Sequence, residues 1–147
     1  MKKMVCILFV CLILFAGCSK SRSVRMEDHI WEMNSVQSVS EDGAAVAYGS
    51  QGSSILEDAV ELDMVCEAQG GVLSLTDKTN GKTYTGTYSE AQTNSKSVIY
   101  EIEIDSISGY ASCAMTEYGD ESTRPTLIIS VDDYAINFLA DTGKIAE

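Results

Sequence analysis

Gly71-Val72-Leu73-Ser74-Leu75-Thr76-Asp77-Lys78-Thr79-Asn80-Gly81-Lys82-Thr83-Tyr84-Thr85-Gly86-Thr87-Tyr88 is the stretch from which the fold is read. Apolar and hydroxyl side chains alternate along both halves, and Asn80-Gly81 between them tolerates the positive φ of a two-residue turn. Pairing Thr79 with Lys82 sets Leu75 opposite Gly86 and Leu73 opposite Tyr88 on one face. Ser74, Thr76, Thr85 and Thr87 then gather on the other. A slip of one residue would exchange the two faces, so the pattern predicts a β-hairpin with one dry side.

The same period of two runs outward in both directions. Val98, Tyr100, Ile102 and Ile104 alternate with Ile99, Glu101 and Glu103, and a loop over 105–108 would bring Ala111, Cys113 and Met115 back on the buried side. A two-residue loop at Asp132-Asp133 sets Val131 against Tyr134, Ile129 against Ile136 and Leu127 against Phe138. Pro125, the only proline, falls where it can begin a strand without removing a ladder hydrogen bond. Further strands are predicted over 31–39, 44–48 and 62–68. Eight to nine short strands joined by turns make an all-β chain, an antiparallel meander forming a barrel or a sandwich. One segment breaks the period: Ser54-Ile55-Leu56-Glu57 has the form of a capping box, and Ile55, Leu56, Ala59 and Val60 make a stripe at helical spacing. A short helix is expected there, plugging an end or seam of the sheet.

Alternation places Trp31, Met33, Tyr84, Tyr88, Tyr100 and Tyr134 inward. They are either core or the lining of a small-molecule cavity. Ile99, Ile128 and Leu139 fall on the outer face as a candidate contact patch for a protein or for the helix.

The amino terminus follows a different logic. Lys2 and Lys3 precede an apolar run ending at Phe15, then come Ala16, Gly17 and Cys18. Positive, apolar, then small is the order of an export signal, and a helix over positions 4–17 covers only about 21 Å of a ~30 Å hydrocarbon core. Phe15-Ala16-Gly17-Cys18 resembles the lipobox of bacterial lipoproteins, departing from it only at Phe15, where that family prefers Leu. The resemblance implies attachment of a diacylglycerol to Cys18, removal of residues 1–17 by the lipoprotein signal peptidase, and residence at the extracytoplasmic face of a cell membrane. Ordinary signal-peptidase cleavage near Cys18 would put Phe15 or Leu14 where a small residue is needed. The expected organisation is a signal peptide over 1–17, a lipidated cysteine and basic tether over 18–28, a β domain over 29–141 and a tail over 142–147. In the body, the strand number, the length and the early Trp31 are similar to the lipocalin-like and wider calycin barrels, although position 29 is His where lipocalins show glycine.

Of five cysteines, Cys6 and Cys11 would leave with the signal and Cys18 would carry lipid. Cys66 and Cys113 remain, as a disulfide or as two buried thiols. On opposite walls of a barrel they could not meet; in a sandwich they could.

Charge changes sign along the mature chain. The stretch 19–25 holds Lys20, Arg22 and Arg25 and no acid, whereas from Met26 onward 22 acidic residues face five basic ones, a formal charge of −17. Anionic headgroups attract the tether at about 1 kcal/mol per basic residue and repel the body. No basic stripe exists to neutralise phosphates, which excludes nucleic acid as a partner. His29 is the only histidine and sits beside the tether, so no triad base is in view, and no cysteine and histidine spacing suits zinc. No cofactor motif is present. Carboxylates are abundant, but Glu57, Asp58, Glu61, Asp63, Asp120, Glu121, Asp132 and Asp133 fall on helix or turn positions where they keep a protein soluble. The reading is a membrane-anchored, surface-exposed lipoprotein whose β domain binds a protein or small molecule without catalysis. A lipocalin-like carrier of a small apolar ligand is the alternative, and a carbohydrate-processing enzyme of the cell envelope a more distant one.

Overall fold

The computed structural model describes residues 23–40, 43–49 and 59–141. A single 3-10 turn, Met26–Asp28, precedes ten strands: β1 Trp31–Ser38, β2 Ala45–Tyr48, β3 Val60–Glu61, β4 Met64–Gln69, β5 Val72–Asp77, β6 Lys82–Thr93, β7 Ser97–Ile104, β8 Ile107–Glu117, β9 Thr123–Val131 and β10 Tyr134–Ala140. From β4 to β10 each strand pairs antiparallel with the next, and β1 joins β4 on one side and β10 on the other. Eight strands thus close a barrel, while β2 and β3 extend from β1 beside it. Of the two architectures the alternation allows, closure selects the one with no free edge around the ring.

Alternation decides what lies inside. Trp31, Met33, Leu73, Val98, Tyr100, Leu127, Ile129 and Phe138 are fully buried members of one continuous core. The β9–β10 hairpin has the expected register, with Val131 opposite Tyr134 and Leu127 opposite Phe138. In the β7–β8 hairpin the loop is only Asp105-Ser106, both at positive φ, so Ile107 and Ser108 are already strand. Met115, expected inside, is 50% exposed because β8 runs past the core.

The β5–β6 hairpin corrects the expected register by two residues. Asp77, not Thr79, pairs with Lys82, so Leu75 faces Tyr84 and Leu73 faces Gly86. The cause is the Asp77 carboxylate, which accepts from the Asn80 backbone N–H at 3.0 Å and from Asn80 Nδ2 at 2.7 Å. It closes a four-residue loop in which Gly81 alone takes positive φ. A shift of two preserves the parity of every side chain, so the dry and wet faces are those the sequence predicts.

The ring is irregular at β6 with β7, where the register shifts between Glu90 and Gln92, and at the seam around β1. Trp31 and Glu32 pair with β4, but from Ser35 onward β2 takes that side of β1, and a bulge lies between Met33 and Ser35. Gly49 N–H donates to the Asn34 carbonyl at 2.9 Å. A Cβ on Gly49 would stand 2.0 Å from the Met33 carbonyl oxygen, so only glycine lets β2 leave here. Of the helix expected over 54–60, residues 54–58 lie outside the described residues, and Val60 belongs to β3, paired parallel with Ala47.

Candidate functional site

The barrel has two unlike ends. At one end the chain itself supplies the stopper. Met26 is completely buried, and three aromatic side chains grip its turn. Trp31 Nε1 donates to the Met26 carbonyl at 2.8 Å, and the Met26 N–H donates to Tyr100 Oη at 3.1 Å. Tyr88 and Tyr100 hydroxyls both donate to the Glu27 carboxylate, at 2.9 and 3.4 Å. Their rings meet edge to face at 5.6 Å, and His29 packs edge-on against Trp31 at 5.3 Å. Just before the turn, Arg25 pairs with Glu90 and Ser23 Oγ donates to the Asn94 carbonyl. The barrel unit therefore starts earlier than residue 29, and Arg25 is clipped to the barrel wall. Burial pushes the pKa of the Tyr100 and Tyr88 hydroxyls up, which keeps them neutral donors.

The opposite end is where β5 meets β6, β7 meets β8 and β9 meets β10. No stopper comes from the described residues, and a recess of about 370 Å³ opens there. Met64, Leu75, Ile104, Ile107, Val131 and Ile136 make it apolar, and Tyr84 and Tyr134 supply two rings. Among the described residues its only ionisable lining groups besides the tyrosines are Asp105 and Asp132, each on a tight turn at φ +50 and +53. Lys82 Nζ lies 4.3 Å over the Tyr84 ring. Ile107 and Tyr134 are each 47% exposed, so the lip is wet while the floor of Leu75, Ile104 and Ile136 is buried.

This geometry divides the five aromatic residues proposed as one cavity lining. Trp31, Tyr88 and Tyr100 belong to the hydrogen-bonded closed end, where all three are buried. Tyr84 and Tyr134 lie at the mouth, and Tyr134 is exposed because its strand begins there. Sequence reading missed Ile104, Ile107, Asp105 and Asp132 as site residues. The available signal was topological: in a meander, every second turn falls at the same end.

Cys66 and Cys113 are unbonded and buried, on β4 and β8, which stand four places apart in the ring of eight. Desolvation holds both thiols protonated far above the usual range, so neither is a nucleophile. Among the described residues no group of three or more His, Cys, Asp or Glu side chains is placed to hold a metal ion.

Two grooves lie elsewhere among the described residues. Glu101 and Glu103 line a groove of about 510 Å³ with Thr87, Ser89, Ser108 and Tyr110. They stand two apart on β7, between β6 and β8, about 7 Å from each other along the strand. A shallower groove of about 230 Å³ crosses Asn34, Gln37, Asn137, Thr126, Ile128 and Leu139. Of the outer patch, Ile128 is exposed and Leu139 is 9% accessible, covered by its neighbours. Comparison of the chain with models of known families, with curated proteins and with solved structures finds no match.

Proposed function

We propose that the chain is a membrane-anchored, extracytoplasmic bacterial lipoprotein whose barrel is a non-catalytic binding domain working through its open end. The observation that carries this reading is the end at which the chain comes in. The stretch from Cys18 reaches the barrel at the stoppered end, where Ser23 and Arg25 are fastened. Five residues span at most about 18 Å. An acylated Cys18 would therefore hold the closed end near the bilayer and point the mouth away from it. Lys20 and Arg22 would sit among headgroups, and the body, at −17, would be held off them. Two acyl chains are enough for lasting attachment where a single one is marginal.

A carrier of a small apolar ligand is the reading favoured by the mouth recess, whose volume and lining suit a small molecule. Labelled palmitate tests the anchor. The wild-type chain takes up label and stays with membranes, and Cys18→Ala takes up none. Label retained by Cys18→Ala would refute the lipid site. Thiol counting gives an independent check, since five cysteines in the full chain leave two free after processing and acylation. The mature protein is expected to show no reactive thiol when folded and two in denaturant.

A further inference from the structure

We infer that the open end of the barrel is a site for a small cationic amphiphile, its apolar group in the recess and its positive head between Asp105 and Asp132. The inference rests on the mouth being the binding end and adds the class of ligand. Three features select that class. The recess is apolar to its floor, which takes a hydrocarbon or aromatic group out of water. Among the described residues the two carboxylates are the only non-tyrosine ionisable groups lining it, and both stand on the rim, where the apolar group would end. The field around them is negative, from a body of formal charge −17, so an anionic amphiphile such as a fatty acid is repelled on approach.

The two tyrosines add a further preference. An aromatic face attracts an ammonium through its quadrupole. The chain already demonstrates this contact, since the Lys82 ammonium rests 4.3 Å from the centroid of the Tyr84 ring. An incoming cation competes with Lys82 for that face. A peptide is the poorer occupant, because the turns at 78–81, 105–106 and 132–133 close the ends of six paired strands at this mouth and leave no free edge between them. A recess of about 370 Å³ is at the small end of ligand pockets, which fits one ring or short chain and its head.

The test uses the mature lipidated protein in zwitterionic nanodiscs with three probes of one shape: benzyltrimethylammonium, benzyl alcohol and phenylacetate. Binding is read from the Tyr84 and Tyr134 ring resonances. The cation is expected to bind about tenfold more tightly than the alcohol, or about 1.4 kcal/mol, and phenylacetate more weakly than either. The preference shrinks with salt. Asp105→Asn with Asp132→Asn removes it without disturbing the turns, since asparagine accepts positive φ. Lys82→Gln strengthens cation binding by removing the internal competitor. Equal binding of cation and alcohol would overturn the ligand class while leaving the mouth as a site. No response of Tyr84 or Tyr134 to any probe, or a response only to a basic peptide, would overturn the inference together with the small-molecule reading.

Discussion

Met26→Ala is the sharpest test of the stoppered end. The Met26 side chain is wholly buried against the barrel floor, and its main chain is held by Trp31 and Tyr100. Truncating a buried methionine costs about 2–5 kcal/mol. Here the cavity would form at the end of the barrel, where the 3-10 turn can settle inward, so about 2–3 kcal/mol is expected. Tyr100→Phe takes away the acceptor of the Met26 N–H and leaves a buried donor without its partner, at about 1–2 kcal/mol. Met26→Leu conserves volume and is expected to cost under about 1.5 kcal/mol. Because alanine and phenylalanine substitutions loosen the same turn, their effects combine to less than their sum. Urea unfolding measures all four proteins, and at roughly 4 °C per kcal/mol the Met26→Ala melting point falls about 8–12 °C. A loss below about 0.5 kcal/mol with an unchanged denaturant slope would show that the turn is not part of the cooperative unit. The orientation argued from it would fall as well.

Two glycines fail for opposite reasons. Gly49→Ala keeps an ordinary backbone but drives a Cβ against the Met33 carbonyl, and should cost about 2–3 kcal/mol in urea unfolding. Gly81→Val has open space around it and φ of +67, so the loss of about 1–2 kcal/mol is pure backbone strain, and an unchanged melting point would discredit the loop. The Asp77 carboxylate is held below the usual range chiefly by its hydrogen bonds to Asn80. Its contribution to stability is complete above an unfolded value near 4 and drains away as pH falls through the lower folded value. Asp77→Asn is therefore expected to flatten the acid limb of the stability profile, and an identical limb in the variant would refute the assignment.

The fold was legible because its information lies in parity. Alternation at Val98 to Ile104 and at Leu127 to Phe138 sorts side chains in and out without any knowledge of partners, but it leaves barrel and sandwich open, and the pairing of β1 with both β4 and β10 decides for the barrel. The register of β5 with β6 was less legible, since Asn80-Gly81 supports both a two-residue and a four-residue loop. What chose between them was a side chain outside the turn dipeptide, the carboxylate of Asp77, whose reach to Asn80 is a three-dimensional fact. The same holds for Val60: a capping box and an apolar stripe favour helix locally, and pairing with Ala47 overrides them at that position.

The site was harder to read because it belongs to an end of the barrel rather than to a strand. Tyr88 and Tyr134 share the inward parity, yet Tyr88 lies under the stopper and Tyr134 at the open lip, and parity carries no coordinate along the barrel axis. That coordinate comes from counting turns. Asp105, Asp132 and the loop at 78–81 follow odd numbers of barrel strands after β4, so they share one end, whereas Gly70, 94–96 and 118–122 share the other with Met26. Once the ends are distinguished, the charge pattern acquires a direction. Basic residues precede the closed end, Asp105 and Asp132 stand at the open one with Lys82 beside Tyr84, and the acyl group proposed at Cys18 would lie on the basic side. An apolar recess facing the bilayer would be filled by the membrane that anchors it. Facing away, as the proposed anchor would set it, the recess would meet water-borne molecules, and among amphiphiles it would favour those whose charge opposes that of its rim.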